Sequence, residues 1–251
     1  VIPGLSSPSQ RRLSLLCLGS ALLGLPASRA AACGVSGPDG AWSCSLAEHE
    51  EEERPRWHVG VAGVYTSTTL HFSHDIHADQ TRNALLATAA YAPTPRLTLA
   101  FSAGAGFAGH LQAPDGVHDF SVGPSAAAGI TYSVIQGRPF VAVSGVLSGA
   151  FAHTQLRGAS DGAANYSAFD LRVGVVAGTT LFEVLSPYVV ARVFGGPVFW
   201  HYQGAAVTGT DASHFQVGAG FSLRMPAWFD LFFEGVPLGE QALSGGLAVI
   251  F

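Results

Sequence analysis

Arg96-Leu-Thr-Leu-Ala-Phe-Ser-Ala-Gly-Ala-Gly-Phe-Ala-Gly-His-Leu111 is the stretch whose reading decides the fold. Its odd positions are Leu97, Leu99, Phe101, Ala103, Ala105, Phe107, Gly109 and Leu111. Its even positions are Thr98, Ala100, Ser102, Gly104, Gly106, Ala108 and His110. One face is large and apolar; the other is small or polar. A period of two belongs to a strand, whose side chains alternate between faces. Asp119 to Val134 repeats the pattern, with Phe120, Val122, Ile130, Tyr132 and Val134 opposed to Asp119, Ser121, Gly123, Ser125 and Thr131. Runs of about 16 residues far exceed the usual strand of about 5 to 6.

Outward from this stretch the alternation covers most of the chain. It predicts ten strands, at 56–72, 81–92, 96–111, 119–134, 140–154, 166–182, 187–202, 214–225, 229–238 and 243–251. Short links, such as Ala92-Pro-Thr-Pro95 and Ile135-Gln-Gly-Arg-Pro139, alternate with longer polar ones at 73–80, 112–118, 157–165 and 203–213. The link 239–242 is the short exception. Tight turns at one end and longer loops at the other are the plan of an antiparallel up-and-down transmembrane β-barrel. The expectation is an all-β barrel of about ten strands, with eight as the alternative count. An even number puts both termini on one side, the periplasm.

The charges distinguish lipid outside from water outside. Asp170, Arg172, Arg192, Arg224 and Glu234 all fall on the small-residue face. The opposite face carries Phe169, Leu171, Val173, Phe215, Val217 and Phe221. A soluble barrel has large apolar residues inside; this pattern is inverted, as in a membrane barrel with a polar lumen. In lipid an open sheet edge would leave backbone groups unsatisfied, so the sheet must close. Trp57, Tyr91, Tyr132, Phe140, Tyr188, Trp200, Tyr202 and Trp228 lie near strand ends and read as interfacial girdles.

Composition agrees. Of 251 residues, 31 are Gly and only 12% are charged, against about 25% charged in ordinary domains. High hydrophobicity and low charge exclude disorder. The chain has no lysine and a net charge of −5, so it lacks the basic footprint of a nucleic-acid binder. No apolar run reaches the ~20 residues of a membrane-spanning helix.

The first segment reads as an export signal. Arg11 and Arg12 precede the apolar run Leu13 to Leu25, and Pro26 and the small residues Ala27 to Ala32 follow. Residues 1–32 are expected to be cleaved. Residues 33–55 then form a periplasmic segment, and 56–251 the barrel. Cys33 and Cys44 remain as an even pair in an exported chain, which reads as a disulfide. Acylation of Cys33 is the alternative. Ser45-Leu-Ala-Glu48 fits a capping box ahead of an acidic run to Glu53.

The last strand places Leu243, Gly245, Leu247, Val249 and Phe251 on one face. It resembles the insertion signal of small bacterial outer-membrane β-barrel proteins of OmpA/OmpW type. The resemblance covers 56–251 as a pattern and the final strand as a motif. It implies an outer-membrane location and recognition of Leu247, Val249 and Phe251 by the barrel-assembly machinery. It implies no catalytic residue, because the group shares architecture rather than one activity.

Three places could carry chemistry. Buried charges must pair or cost several kcal/mol, so the five lumen charges read as an ion-pair network or as a constriction for a small solute. The inner Gly, Ala and Ser residues leave room for a narrow water-filled passage. Second, eight histidines lie at the outer strand ends, and His71, His74, Asp75 and His77 form a set of imidazoles and a carboxylate that suits a transition metal. Third, His74, Asp75 and His153 could serve a hydrolase at the rim, although general acid–base work needs contacts of ~3 Å. The main reading is a non-enzymatic barrel without a cofactor, structural or passing small solutes. Its partners are membrane lipid and the assembly machinery, with a small solute or metal ion as a ligand and no nucleic acid. Metal binding and rim hydrolysis are the alternatives.

Overall fold

A computed structural model describes residues 33–36, 41–44, 57–158, 162–225 and 229–251. The expected signal at 1–32 and the capping box and acidic run at 45–53 lie outside these, as does Trp228. The strands are β1 (Cys33–Ser36), β2 (Ala41–Cys44), β3 (Trp57–Phe72), β4 (Ile76–Thr94), β5 (Leu97–Ala113), β6 (Gly116–Phe120), β7 (Gly123–Ile135) and β8 (Phe140–Leu156). They continue with β9 (Ala164–Gly178), β10 (Leu185–Gly195), β11 (Val198–Tyr202), β12 (Ala205–Asp211), β13 (Phe215–Met225), β14 (Phe229–Gly239) and β15 (Gln241–Ile250). β1 and β2 pair as a hairpin in which Cys33 stands opposite Cys44. The other thirteen strands form one antiparallel sheet that closes on itself.

The pairings define two rings. Near the chain termini ten strands run round the barrel in the order β3, β4, β5, β7, β8, β9, β10, β13, β14, β15 and back to β3. Closure falls on the last strand, and Trp57 and Phe251 exchange backbone hydrogen bonds of 3.1 Å. At the far end the ring is β3, β4, β5, β6, β8, β9, β11, β12 and back to β3, which is eight strands. The β14–β15 hairpin stops short at Glu240, and β12 passes over it to pair with Leu70, His71 and Phe72 of β3. Both strand counts read from the sequence therefore exist, at different heights.

The narrowing goes with a change of chemistry. Ala108 adopts a left-handed φ of 46°, and the β4–β5 register slips beside it, so one extra residue sits in β5. An odd insertion flips every later side chain to the other face. Leu111, expected outside with Phe101, is buried inside, and so is Ala113, which was read as part of a link. Interruptions at 121–122 and 212–214 flip β6 against β7 and β12 against β13 in the same way, taking His118 and Val207 inside. In the ten-stranded part most inward residues are small or polar, with Leu86, Phe140, Tyr188 and Phe232 buried among them, and Val61, Leu85, Leu147, Leu171, Val189 and Leu231 face out, exposed. In the eight-stranded part the order inverts: Leu70, Leu111 and Trp200 are buried, while His71, His77, Gln112, His153 and His201 are exposed.

The first surface suits hydrocarbon and the second suits water. An edge-to-face series, Phe151–Phe169 at 5.5 Å and Phe169–Phe199 at 6.5 Å, runs along the boundary between them. Trp57 and Tyr91 mark the terminal end, with rings 4.8 Å apart. The long polar links expected at 73–80, 112–118 and 203–213 are mostly strand, joined by short turns at 73–75, 114–115 and 203–204. Their polarity is that of strands standing clear of the membrane.

Leu171 is 55% exposed at the middle of β9. Leu171→Arg is expected to destabilise the lipid-embedded barrel by ~2–4 kcal/mol, the cost of a cation at the midplane. Urea unfolding in vesicles checks this, and His153→Arg, beyond the aromatic series, should cost ~0–1 kcal/mol.

Candidate functional site: the lumen and its cap

Large side chains close the narrow end. Leu70, Phe72, Leu111, Tyr166, Trp200 and Tyr202 belong to one buried cluster inside the eight-stranded ring. Eight strands give an interior that side chains can just fill. Trp200 is 1% exposed; its Nε1–H donates to Thr154 Oγ1 at 2.9 Å, and its ring meets His118 edge-on at 4.9 Å. Beside this ring, His118 and Asp115 are 2.9 Å apart and Gln203 donates to Asp115. Burial raises the Asp115 carboxyl, but hydrogen bonds from His118, Gln203 and Tyr202 outweigh it and hold the group below the usual carboxylate range.

This corrects the girdle assignment for Trp200, Tyr202, Phe140 and Tyr188. All four are buried and face inward. Tyr188, Trp200 and Tyr202 share the even parity of Arg192, and Phe140 shares that of the inward Ala142 and Ser144 on β8; parity, not nearness to a strand end, sets the face. Trp57, Tyr91 and Tyr132 do face outward.

Below the cap the structure brings the inward charges together in pairs. Arg192 makes a two-pronged contact with Glu234, 2.9 and 3.1 Å, with both residues buried. Arg224 meets Asp230 at 3.4 Å. Arg172 pairs with Asp170 on its own strand and with Glu240 at 2.7 Å, and its guanidinium lies 4.6 Å from the Phe194 ring centre. Glu240 also accepts from Gln216 at 2.7 Å. Asp211 accepts from Thr68 at 3.0 Å.

Asp230, Glu240, Asp211 and Arg82 were missed in the sequence. Asp230 carried a signal, since it shares parity with Glu234 on one strand. Glu240 and Asp211 sat in segments read as links. Glu240 reaches the lumen because the β14–β15 turn is tight: Gly239 has φ 85°, and a Cβ there would fall 1.7 Å from the Phe215 carbonyl oxygen.

The inner glycines do not leave a free passage along the wall formed by β13 to β15. A Cβ at Gly220 would lie 2.6 Å from the Tyr188 ring, so this glycine makes room for the tyrosine. Phe232 and Leu86 fill the same region and are buried. A cavity of about 110 Å³ remains where the two rings meet, lined in part by Thr68, Gln80, Arg82, Asp170 and Ser148.

The histidine set is not assembled. His71 and His77 are opposite each other on β3 and β4, and their rings touch edge to face at 4.3 Å. His74 and Asp75 occupy the turn between, both with left-handed φ, and all four residues are exposed. Among the described residues no three His, Cys, Asp or Glu side chains are grouped to hold a metal. His153 is on β8, across the eight-membered ring from the β3–β4 turn, and makes no side-chain hydrogen bond to His74 or Asp75 among the described residues. Leu247 and Phe251 are exposed on the outer face of the closing strand, with Val249 partly exposed between them.

An antiparallel sheet closed on itself, apolar outside over one part and internally paired in charge, defines a transmembrane β-barrel. The chain is similar in structure to the outer membrane protease OmpT from Escherichia coli, at 7% identity and a TM-score of 0.51, over 80% of this chain and 99% of that one. It also matches the translocator domain of autotransporter NalP from Neisseria meningitidis, at 10% identity and a TM-score of 0.48, over 80% and 90% of the two chains. An outer membrane channel from Pseudomonas putida F1 matches at 12% identity and a TM-score of 0.41, over 81% and 100%. No protein-family model matches the chain, and no curated protein does. At these identities the likeness is one of fold, that of outer-membrane β-barrels in general and not of the OmpA/OmpW type in particular.

Proposed function

We propose that this chain is an integral outer-membrane protein without enzymatic activity, a closed barrel that serves the envelope as a structural element. One observation carries the reading. The cap end is filled by a buried aromatic and aliphatic cluster around Trp200 and Leu111, which supports a closed lumen. The paired charges beneath it act as internal braces. The apolar outer belt and the signal-like residues 1–32 support an outer-membrane location with both termini in the periplasm. Leu247, Val249 and Phe251 would be presented to the barrel-assembly machinery, and the likeness to OmpA/OmpW-type barrels is part of this reading.

Passage of a small solute is the second reading, favoured by the polar cavity under the cap. Planar-bilayer recording of the refolded protein separates the two. The expected trace is silent, from protein shown to be folded by its heat-sensitive gel mobility. Discrete conductance steps in the unmodified protein would overturn the closed reading in favour of transport.

A further inference from the structure

The hairpin β1–β2 lies between opposite walls of the barrel. Cα atoms of β1 come within 8 Å of β13, β14 and β15, and those of β2 come within 8 Å of β5, β7 and β8. In the ten-stranded ring β3 and β4 separate these two sets on one side, and β9 and β10 separate them on the other. A small hairpin on the outside of the barrel could reach only one set. Here one strand reaches each, so the pair bridges the lumen. β7, β13, β14 and β15 take no part in the eight-stranded ring. The hairpin is therefore on the terminal side of the narrowing, away from the cap.

The rim at that end has the burial of a covered mouth. His58, Thr98 and Asp230 are the first inward residues of β3, β5 and β14, and Ile250 is the last of β15; all four are buried. Ten strands exceed the eight whose interior side chains can just fill, so the end residues of an open mouth would meet water. The hairpin needs the mouth in return, because two strands alone are at best marginally stable in water. Cys33 stands opposite Cys44 at its open end, so the disulfide expected there would tie β1 to β2 and not to the wall. We propose that this N-terminal hairpin is a plug, seated across the terminal mouth, that screens the lumen from solutes on that side. The cap and the plug act at opposite ends. Ions can still pass beside a cover of two strands, so current through the barrel reports on the cap, and the plug needs its own readout.

Photo-crosslinking in the refolded full chain tests the seat. With p-benzoylphenylalanine at the position of Trp42 on β2, irradiation should join that residue to β5, β7 or β8. At the position of Val35 on β1 it should join that residue to β13, β14 or β15, with peptide mass spectrometry reading the partners. Diethyl pyrocarbonate tests the cover. His58 should be protected, while His71, His74 and His77, exposed at the other end, react and serve as the reference. A glycine–serine linker of equal length in place of residues 33–44 should speed modification of His58 by at least about tenfold, an opening cost of roughly 1.4 kcal/mol. Heat-sensitive gel mobility shows that this variant is folded, and the cross-links test the seat without it. No cross-link to the barrel from either position would overturn the proposal. His58 reacting equally slowly with hairpin and with linker would also overturn it, because the hairpin would then cover nothing.

Discussion

Glu234→Ala is expected to lower the unfolding free energy by ~3–5 kcal/mol, the cost of leaving a buried charge without its partner. Glu234 is 1% exposed and holds both Arg192 nitrogens. Without it the guanidinium stays between β10 and β14 with no acid in place. The pair itself is a weak source of stability, because desolvating two charges offsets most of their attraction. The double change Arg192→Met with Glu234→Leu should therefore fall close to the parent or exceed it by up to ~4 kcal/mol. Urea titration of vesicle-embedded protein, followed by tryptophan fluorescence, measures both. A single variant within ~1 kcal/mol of the parent would mean that water reaches Arg192 and that the lumen is wetter than its burial implies.

Trp200→Ala should cost a similar ~3–5 kcal/mol, for a different reason. Removing a large buried side chain loses its transfer energy and leaves a cavity that the surroundings fill only in part. Thr154 also loses its donor. Trp200→Phe keeps most of the packing and should cost less, with ~1 kcal/mol of the loss from the hydrogen bond. The cap reading adds an electrical outcome. Trp200→Ala together with Leu111→Ala should produce conductance steps in a bilayer where the parent is silent. A stable double variant that stays silent would show that the seal lies elsewhere in the lumen.

Much of the barrel was legible because the strand period is exactly the period of its surroundings. Lipid outside and a small-residue lumen inside impose alternation on every pass, and Arg96–Leu111 showed it directly. The charges on the small-residue face, Asp170, Arg172, Arg192, Arg224 and Glu234, could be assigned inward by the same parity. Parity also held the inward assignment of Trp200 and Tyr202, through Arg192, but their place near a strand end masked it. The bulge at Ala108 was not legible. One residue of left-handed backbone has no composition signature, yet it moves Leu111 from one face to the other.

The sequence by itself determined an all-β chain, near ten strands, apolar on one side and charged on the other, because alternation is a local property that each strand carries alone. Only the tertiary structure decided where the barrel narrows, which strands flip, and which acid meets which arginine. Those depend on register and on strands far apart in the chain: β12 crossing to β3, and Glu240 tucked under that crossing to meet Arg172. No local pattern encodes a meeting of that kind, since each partner satisfies its own strand equally well with or without the other.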